Sequence, residues 1–130
     1  MPVNETIFAP QVFDHLRQAM ACDPAGFAEL YRDYLADAWQ ALRMLRDAVQ
    51  QQQAEEIRAK AHQLKGSSLV LGARMVAQWA SALEELGRDA DIRGAGEMLE
   101  RTRRALQDVQ NELSDRLGAA VVPANRTAAF

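Results

Sequence analysis

Residues 27–49 read FAELYRDYLADAWQALRMLRDAV, and the spacing of apolar positions in this stretch decides the fold class. Phe27, Leu30, Tyr31, Tyr34, Leu35, Ala38, Leu42, Leu45 and Val49 recur at intervals of three and four, while Glu29, Arg32, Asp33, Asp37, Gln40, Arg43 and Asp47 fall on the opposite side. That is the pattern of an amphipathic α-helix with one face turned to a core. Just upstream, Asp23-Pro24 offers an N-cap followed by a proline at the first helical position. At 1.5 Å per residue a helix of roughly 25 residues spans about 40 Å, enough to be a principal rod of a bundle.

The same period continues on both sides. Phe13, Leu16 and Met20 form a short stripe after Pro10, preceded by a lead-in from Met1 to Ala9. The polar run Gln50 to Gln53 reads as a helix end and turn. A third stripe (Ile57, Ala61, Leu64, Ser68, Leu71) ends at Gly72, the residue type favoured where a helix stops in a left-handed conformation. A fourth (Val76, Trp79, Ala80, Leu83, Leu86) closes at Gly87, and a polar turn spans Arg88 to Asp91. The fifth runs through Ile92, Ala95, Leu99, Leu106, Val109, Leu113 and Leu117, with Gly94 and Gly96 weakening its first turn. The expected fold is all-α, an antiparallel four-helix bundle with a short additional N-terminal helix over residues 10–117, followed by a flexible C-terminal tail over 118–130.

Composition agrees with that class. The 130 residues include 24 alanines, 14 leucines and 11 glutamines against 14 β-branched residues in all, and no proline interrupts Ala25 to Val122. A formal charge of −3 and eight aromatics that are not interleaved with basic clusters argue against nucleic-acid binding. Cys22 is the single cysteine, which excludes an intrachain disulfide and a cysteine-rich metal site. No Glu-x-x-His pair of the kind used by bundle metalloenzymes occurs, so no metal site is expected. With no signal peptide and no apolar run of membrane-spanning length, the expected location is the cytoplasm, away from membranes.

Bundles host many activities, so the site must decide function. On a helical wheel His62 lies roughly 130° from the apolar direction of its own stripe and therefore faces outward. Its neighbours one turn away are Arg58, Ala59, Lys65 and Gly66, with Leu69 two turns on, so two small residues and two cations border the ring. A mid-helix glycine costs about 1 kcal/mol relative to alanine, and clearance beside the imidazole supplies a reason for it. The chain has 13 arginines and only two lysines, and one of those lysines stands a single turn after His62. An ammonium is a compact, rotatable partner for a phosphate oxygen, although a solvated helix face is the ordinary role of a lone lysine. Ser67 reads as a polar residue on the side of the wheel, and Ser68 as a small core-facing one whose hydroxyl can bond back to a helical carbonyl. His15, the other histidine, lacks the glycine and lysine and reads as a surface residue.

The segment Ala61-His62-Gln63-Leu64-Lys65-Gly66-Ser67-Ser68, followed by Leu71-Gly72-Ala73, Leu83-Glu84 and Leu86-Gly87-Arg88, resembles the histidine-containing phosphotransfer (HPt) family of two-component phosphorelays. The resemblance implies that His62 accepts a phosphoryl group from an aspartyl phosphate on a receiver domain and passes it to another receiver. It implies further that Lys65 supports phosphate charge, that Gly66 leaves clearance for the receiver, and that Glu84 occupies the position that hydrogen-bonds Nδ1 of the phosphoacceptor, where some members carry Gln. A carboxylate there would raise imidazole basicity but repel a bound phosphoryl group. Arg58, Ala59, Leu69, Met75 and Arg88 are candidates for the docking surface. The implied partners are response-regulator receiver domains and a hybrid sensor histidine kinase. No cofactor is implied on this chain, the Mg²⁺ ion being carried by the receiver. The module would be a phosphoryl carrier and no enzyme in its own right, since no Gly-rich phosphate loop for ATP is present.

Two other readings compete. A histidine-kinase dimerisation domain also exposes a histidine on a helical hairpin, but typically has an acidic residue next to it and a proline five positions on, where this chain has Gln63 and Ser67. A helical-bundle adaptor that binds signalling partners without phosphotransfer would tolerate loss of His62.

Overall fold

The structure, a computed structural model, describes residues 2–125. Five α-helices and no strand occur among the described residues: α1 (Pro10–Ala19), α2 (Pro24–Gln50), α3 (Ala54–Val70), α4 (Arg74–Arg88) and α5 (Ala95–Leu117). Helices α2 to α5 form the antiparallel bundle, each packed on its neighbour in sequence and α5 returning to α2. A single 3₁₀ turn, Ala119–Val121, follows α5.

Local chemistry sets the boundaries. Asp23 accepts from Gly26 N at 2.9 Å with Pro24 at the first helical position, so one of the orphan donors at the start of α2 is satisfied. Gly72 adopts φ +77 and reverses the chain between α3 and α4, and a Cβ there would crowd Val12 Cβ at 2.9 Å. Helix α5 begins at Ala95, after Gly94, and leaves Ile92 in the preceding turn.

The core is built mainly from the expected stripes. Trp39, which the three-four spacing passes over, is fully buried, and its indole N–H donates to Gln110 Oε1 at 2.8 Å. At the end of α2, Ala48 is buried and Val49 only partly. Trp79 of α4 is likewise only partly buried, with the Arg101 guanidinium 5.0 Å from its ring centroid. Two phenols tie α2 to α3: Tyr31 donates to Leu71 O at 2.9 Å, and the Tyr34 hydroxyl pairs with Ser68 Oγ at 2.7 Å. The Ser68 hydroxyl is thus used across the bundle, while Ser67 bonds back to Leu64 O at 3.2 Å.

Both ends of the described chain pack on the bundle. The lead-in carries Phe8 and Val3 into the core, where Phe8 packs edge-on against Phe13 and Tyr31 at centroid distances of 5.6 and 6.2 Å. Its backbone is held by Ala9 N donating to Gly72 O at 2.8 Å and by Arg74 donating to Glu5 O at 3.0 Å. At the other end, residues 118–125, expected to belong to a flexible tail, lie against the bundle: Val121 and Pro123 are buried, and Asn125 donates to Ala36 O at 2.9 Å. Both segments lack helical period because only one or two of their side chains face inward, and isolated anchors leave no periodic trace. The remainder of the expected tail, 126–130, lies outside the described residues.

Candidate functional site

Helix α3 directs Ile57, Ala61, Leu64 and Ser68 inward, and that geometry turns His62 outward with 61% of its side chain exposed. Helix α4 directs Val76, Ala80, Leu83 and Gly87 inward, which leaves Glu84 at the seam facing α3. Residues 22 apart in sequence meet there: His62 Nδ1 lies 2.7 Å from Glu84 Oε2. The other carboxylate oxygen is 2.5 Å from Lys65 Nζ, and Arg88 donates to Oε2 at 3.2 Å.

Glu84 is only 3% exposed although it sits at the edge of the bundle, because its three partners cover it. Its carboxyl is held below the ordinary glutamate range, first by the hydrogen bond from Lys65 and then by that from His62, against the opposing cost of desolvation. An ionised carboxylate only accepts hydrogen bonds. Nδ1 must therefore carry the proton, and in the neutral ring the lone pair resides on Nε2. One carboxylate thus fixes both the tautomer and the orientation of an exposed imidazole.

The surrounding residues divide into those brought to this point and those held elsewhere. Lys65 is at the site, but its ammonium is bound to Glu84. Arg58 is engaged by Glu55, with Nη2 to Oε1 at 2.6 Å and Nε to Oε2 at 3.0 Å, so much of its charge is offset locally. Gly66 is exposed, and a Cβ built on it meets nothing within 4 Å, so no contact inside the chain requires glycine there. Ala59 is half-buried, one turn before His62. Leu69, 58% exposed, lines a groove of about 380 Å³ with Lys65, Ala9, Ala77 and Gln78. Met75 packs against the core, nine residues along α4 from Glu84 and hence about 13 Å away along the helix axis. His15 stands exposed on α1.

Several features escape the sequence. Val70 is 70% exposed beside Leu69, and Ala77 and Gln78 supply the α4 wall of the groove. The ion pair between Lys65 and Glu84 has no local signature, since its members lie on different helices. Gly87, where the fourth stripe was expected to close, is the second-last residue of α4, with an ordinary helical backbone, and is buried against α3. Among the described residues no group of His, Cys, Asp and Glu is arranged to hold a metal ion, and no helix is long and apolar enough to cross a membrane.

A family model described as the Hpt domain matches residues 29–112. Among solved structures, the chain is similar to histidine-containing phosphotransfer protein B from Pseudomonas aeruginosa, with a TM-score of 0.79 and 25% identity over 85% of this chain and 93% of that one. A rice protein described as a histidine-containing phosphotransfer protein superposes with a TM-score of 0.75 at 22% identity, over 92% of this chain and 83% of the other, and shares the fold. No curated protein sequence matches.

Proposed function

Since the chain belongs to the Hpt domain family, we propose that it is a phosphorelay carrier in which Nε2 of His62 takes a phosphoryl group from a receiver-domain aspartyl phosphate and yields it to a second receiver. The observation that carries this reading is the exposed imidazole whose Nδ1 is 2.7 Å from the covered carboxylate of Glu84. In the transfer, the Nε2 lone pair forms the N–P bond as the bond from phosphorus to the aspartyl oxygen breaks, and that electron pair leaves on the carboxylate of the receiver. No proton needs to move. The ring becomes an imidazolium bearing phosphorus on Nε2 and hydrogen on Nδ1, and Glu84 stabilises its positive charge. The return step reverses the same bonds.

The local charge suits that chemistry. Glu84 contributes one negative charge against the positive charges of Lys65 and Arg88, so the cluster is net positive while the chain as a whole carries −3. An incoming phosphoryl group offers Lys65 a second acceptor, and the ammonium has two N–H donors beyond the one directed at Glu84. Gly66, free of internal contacts, gives the receiver close access to the ring, and the apolar groove bordered by Leu69 offers it a seat. Arg58, Ala59 and Arg88 border the same face. The Mg²⁺ ion of the reaction belongs to the receiver, which together with a hybrid sensor kinase would place the exchange in the cytoplasm.

The test is transfer from a phosphorylated receiver domain to the wild-type chain and to His62→Gln. Acid-labile phosphate should appear on the wild type and be absent from the variant. Labelling of His62→Gln would overturn the assignment, and a variant that binds and signals like the wild type would favour the adaptor.

A further inference from the structure

We infer that Gly87 is a positioning residue for the His62–Glu84 contact: by lacking a side chain it sets the distance between α3 and α4 at which the carboxylate reaches Nδ1. The inference rests on the reading of His62 as the phosphoacceptor. A Cβ built on Gly87 would stand 2.6 Å from Arg58 N, 2.7 Å from Ala54 O and 2.9 Å from Arg58 Cα. All three are backbone atoms of α3, so no side-chain rotation relieves the overlap. Carbon atoms pack at about 3.5–4.0 Å, which requires the two helices to part by about 1 Å at this point.

The site lies next to that point. Gly87 follows Glu84 by three residues, about 4.5 Å along α4, and Arg58 precedes His62 by four residues on α3. Glu84 bridges to α3 through both oxygens, to His62 Nδ1 at 2.7 Å and to Lys65 Nζ at 2.5 Å, so separation of the helices stretches both contacts together. Lys65 has a long flexible stem and can follow the carboxylate. The imidazole has two torsions and cannot, so its hydrogen bond would lengthen beyond the usual limit of about 3.2 Å. Gly66 makes the contrast: it too is a helical glycine beside His62, but its open surroundings leave the helix spacing independent of it.

Gly87→Ala tests the inference through the ¹⁵N shifts of the His62 ring, with the exposed His15 as internal reference. The wild type should show the Nδ1–H tautomer, and the variant should lose its bias toward it. Transfer from a phosphorylated receiver should slow by between about tenfold and 100-fold, the scale of a reacting group displaced by about 1 Å. In a Glu84→Ala background, Gly87→Ala should change the rate no further. To guard against loss of folding, the substitution is repeated with Gly96→Ala, which adds a better helix former at a position of α5 with open space around it. An unchanged tautomer in the folded variant, an equal slowing in the Glu84→Ala background, or failure to fold even with Gly96→Ala would each overturn the inference. A wild-type chain that takes no phosphoryl group would refute the functional reading alone, because the tautomer measurement needs no transfer.

Discussion

Two buried polar side chains, Gln110 in the seam between α2 and α5 and Glu84 in the seam between α3 and α4, have similar exposures of 4% and 3% and opposite roles. Gln110 meets Trp39, which is itself wholly buried, so that hydrogen bond is closed on both sides and only holds the long helices in register. Glu84 meets His62, whose ring is mostly exposed, so the same kind of contact transmits order from the interior to an atom in solvent. At the α2–α5 seam the large indole of Trp39 meets Gln110, whereas at the α3–α4 seam Gly87 lets the two backbones approach. A buried polar group whose partner is exposed can thus orient an atom in solvent, which one closed on both sides cannot do.

The largest effect belongs to the closed seam. Trp39→Ala removes the largest buried side chain and leaves Gln110 without its partner, and should lower unfolding free energy by about 3–5 kcal/mol in urea titration. Transfer by the fraction that remains folded should be unaffected. A comparable loss of transfer per folded molecule would dissolve the distinction between the seams.

Next comes Glu84→Ala, which should cut phosphotransfer by about tenfold or more while preserving helicity by circular dichroism, since its cationic partners can turn to water. The pH dependence also separates the seams. The Glu84 carboxyl is held below its ordinary value in the folded chain, so the stability it contributes is complete above the usual glutamate range and is lost as pH falls through the depressed folded value. Glu84→Gln should flatten that part of the acid limb of the stability profile, whereas Gln110→Leu, which removes no charge, should leave its slope unchanged.

Smaller effects are expected at the rim. Lys65→Ala should slow transfer with little change in melting temperature, and an unchanged rate would leave Lys65 only its structural bond to Glu84. Gly66→Ala should raise stability by up to about 1 kcal/mol, because the helix gains propensity and the new methyl meets nothing. Gly66→Gln should keep the helix and weaken receiver binding, measurable by calorimetry. Wild-type affinity in that variant would remove the clearance role.

Much of the fold was legible because helices announce themselves by period. The α2 stripe, the Asp23-Pro24 start and the Gly72 stop needed only neighbours within a turn or two. Trp39 was not legible in the stripe because its partner Gln110 is 71 residues away. The packing of the chain ends was not legible for a related reason: Phe8 and Val121 are single anchors in aperiodic segments, and only the surface they meet reveals them. At the site, the outward direction of His62 followed from its own helix, and the HPt motif drew attention to Lys65, Gly66 and Glu84.

By itself, then, the amino-acid sequence determined an all-helical bundle, the turns between its rods and an exposed histidine beside a glycine and a lysine, since each of these depends on local dihedral preferences and the 3.6-residue period. Tertiary structure alone decided that Glu84 is covered and ionised, that Lys65 binds it, and that Gly87 is a contact between helices. Those outcomes turn on the distance and register between two packed helices, to within an ångström, and side chains on separate helices leave no periodic record of where they will meet.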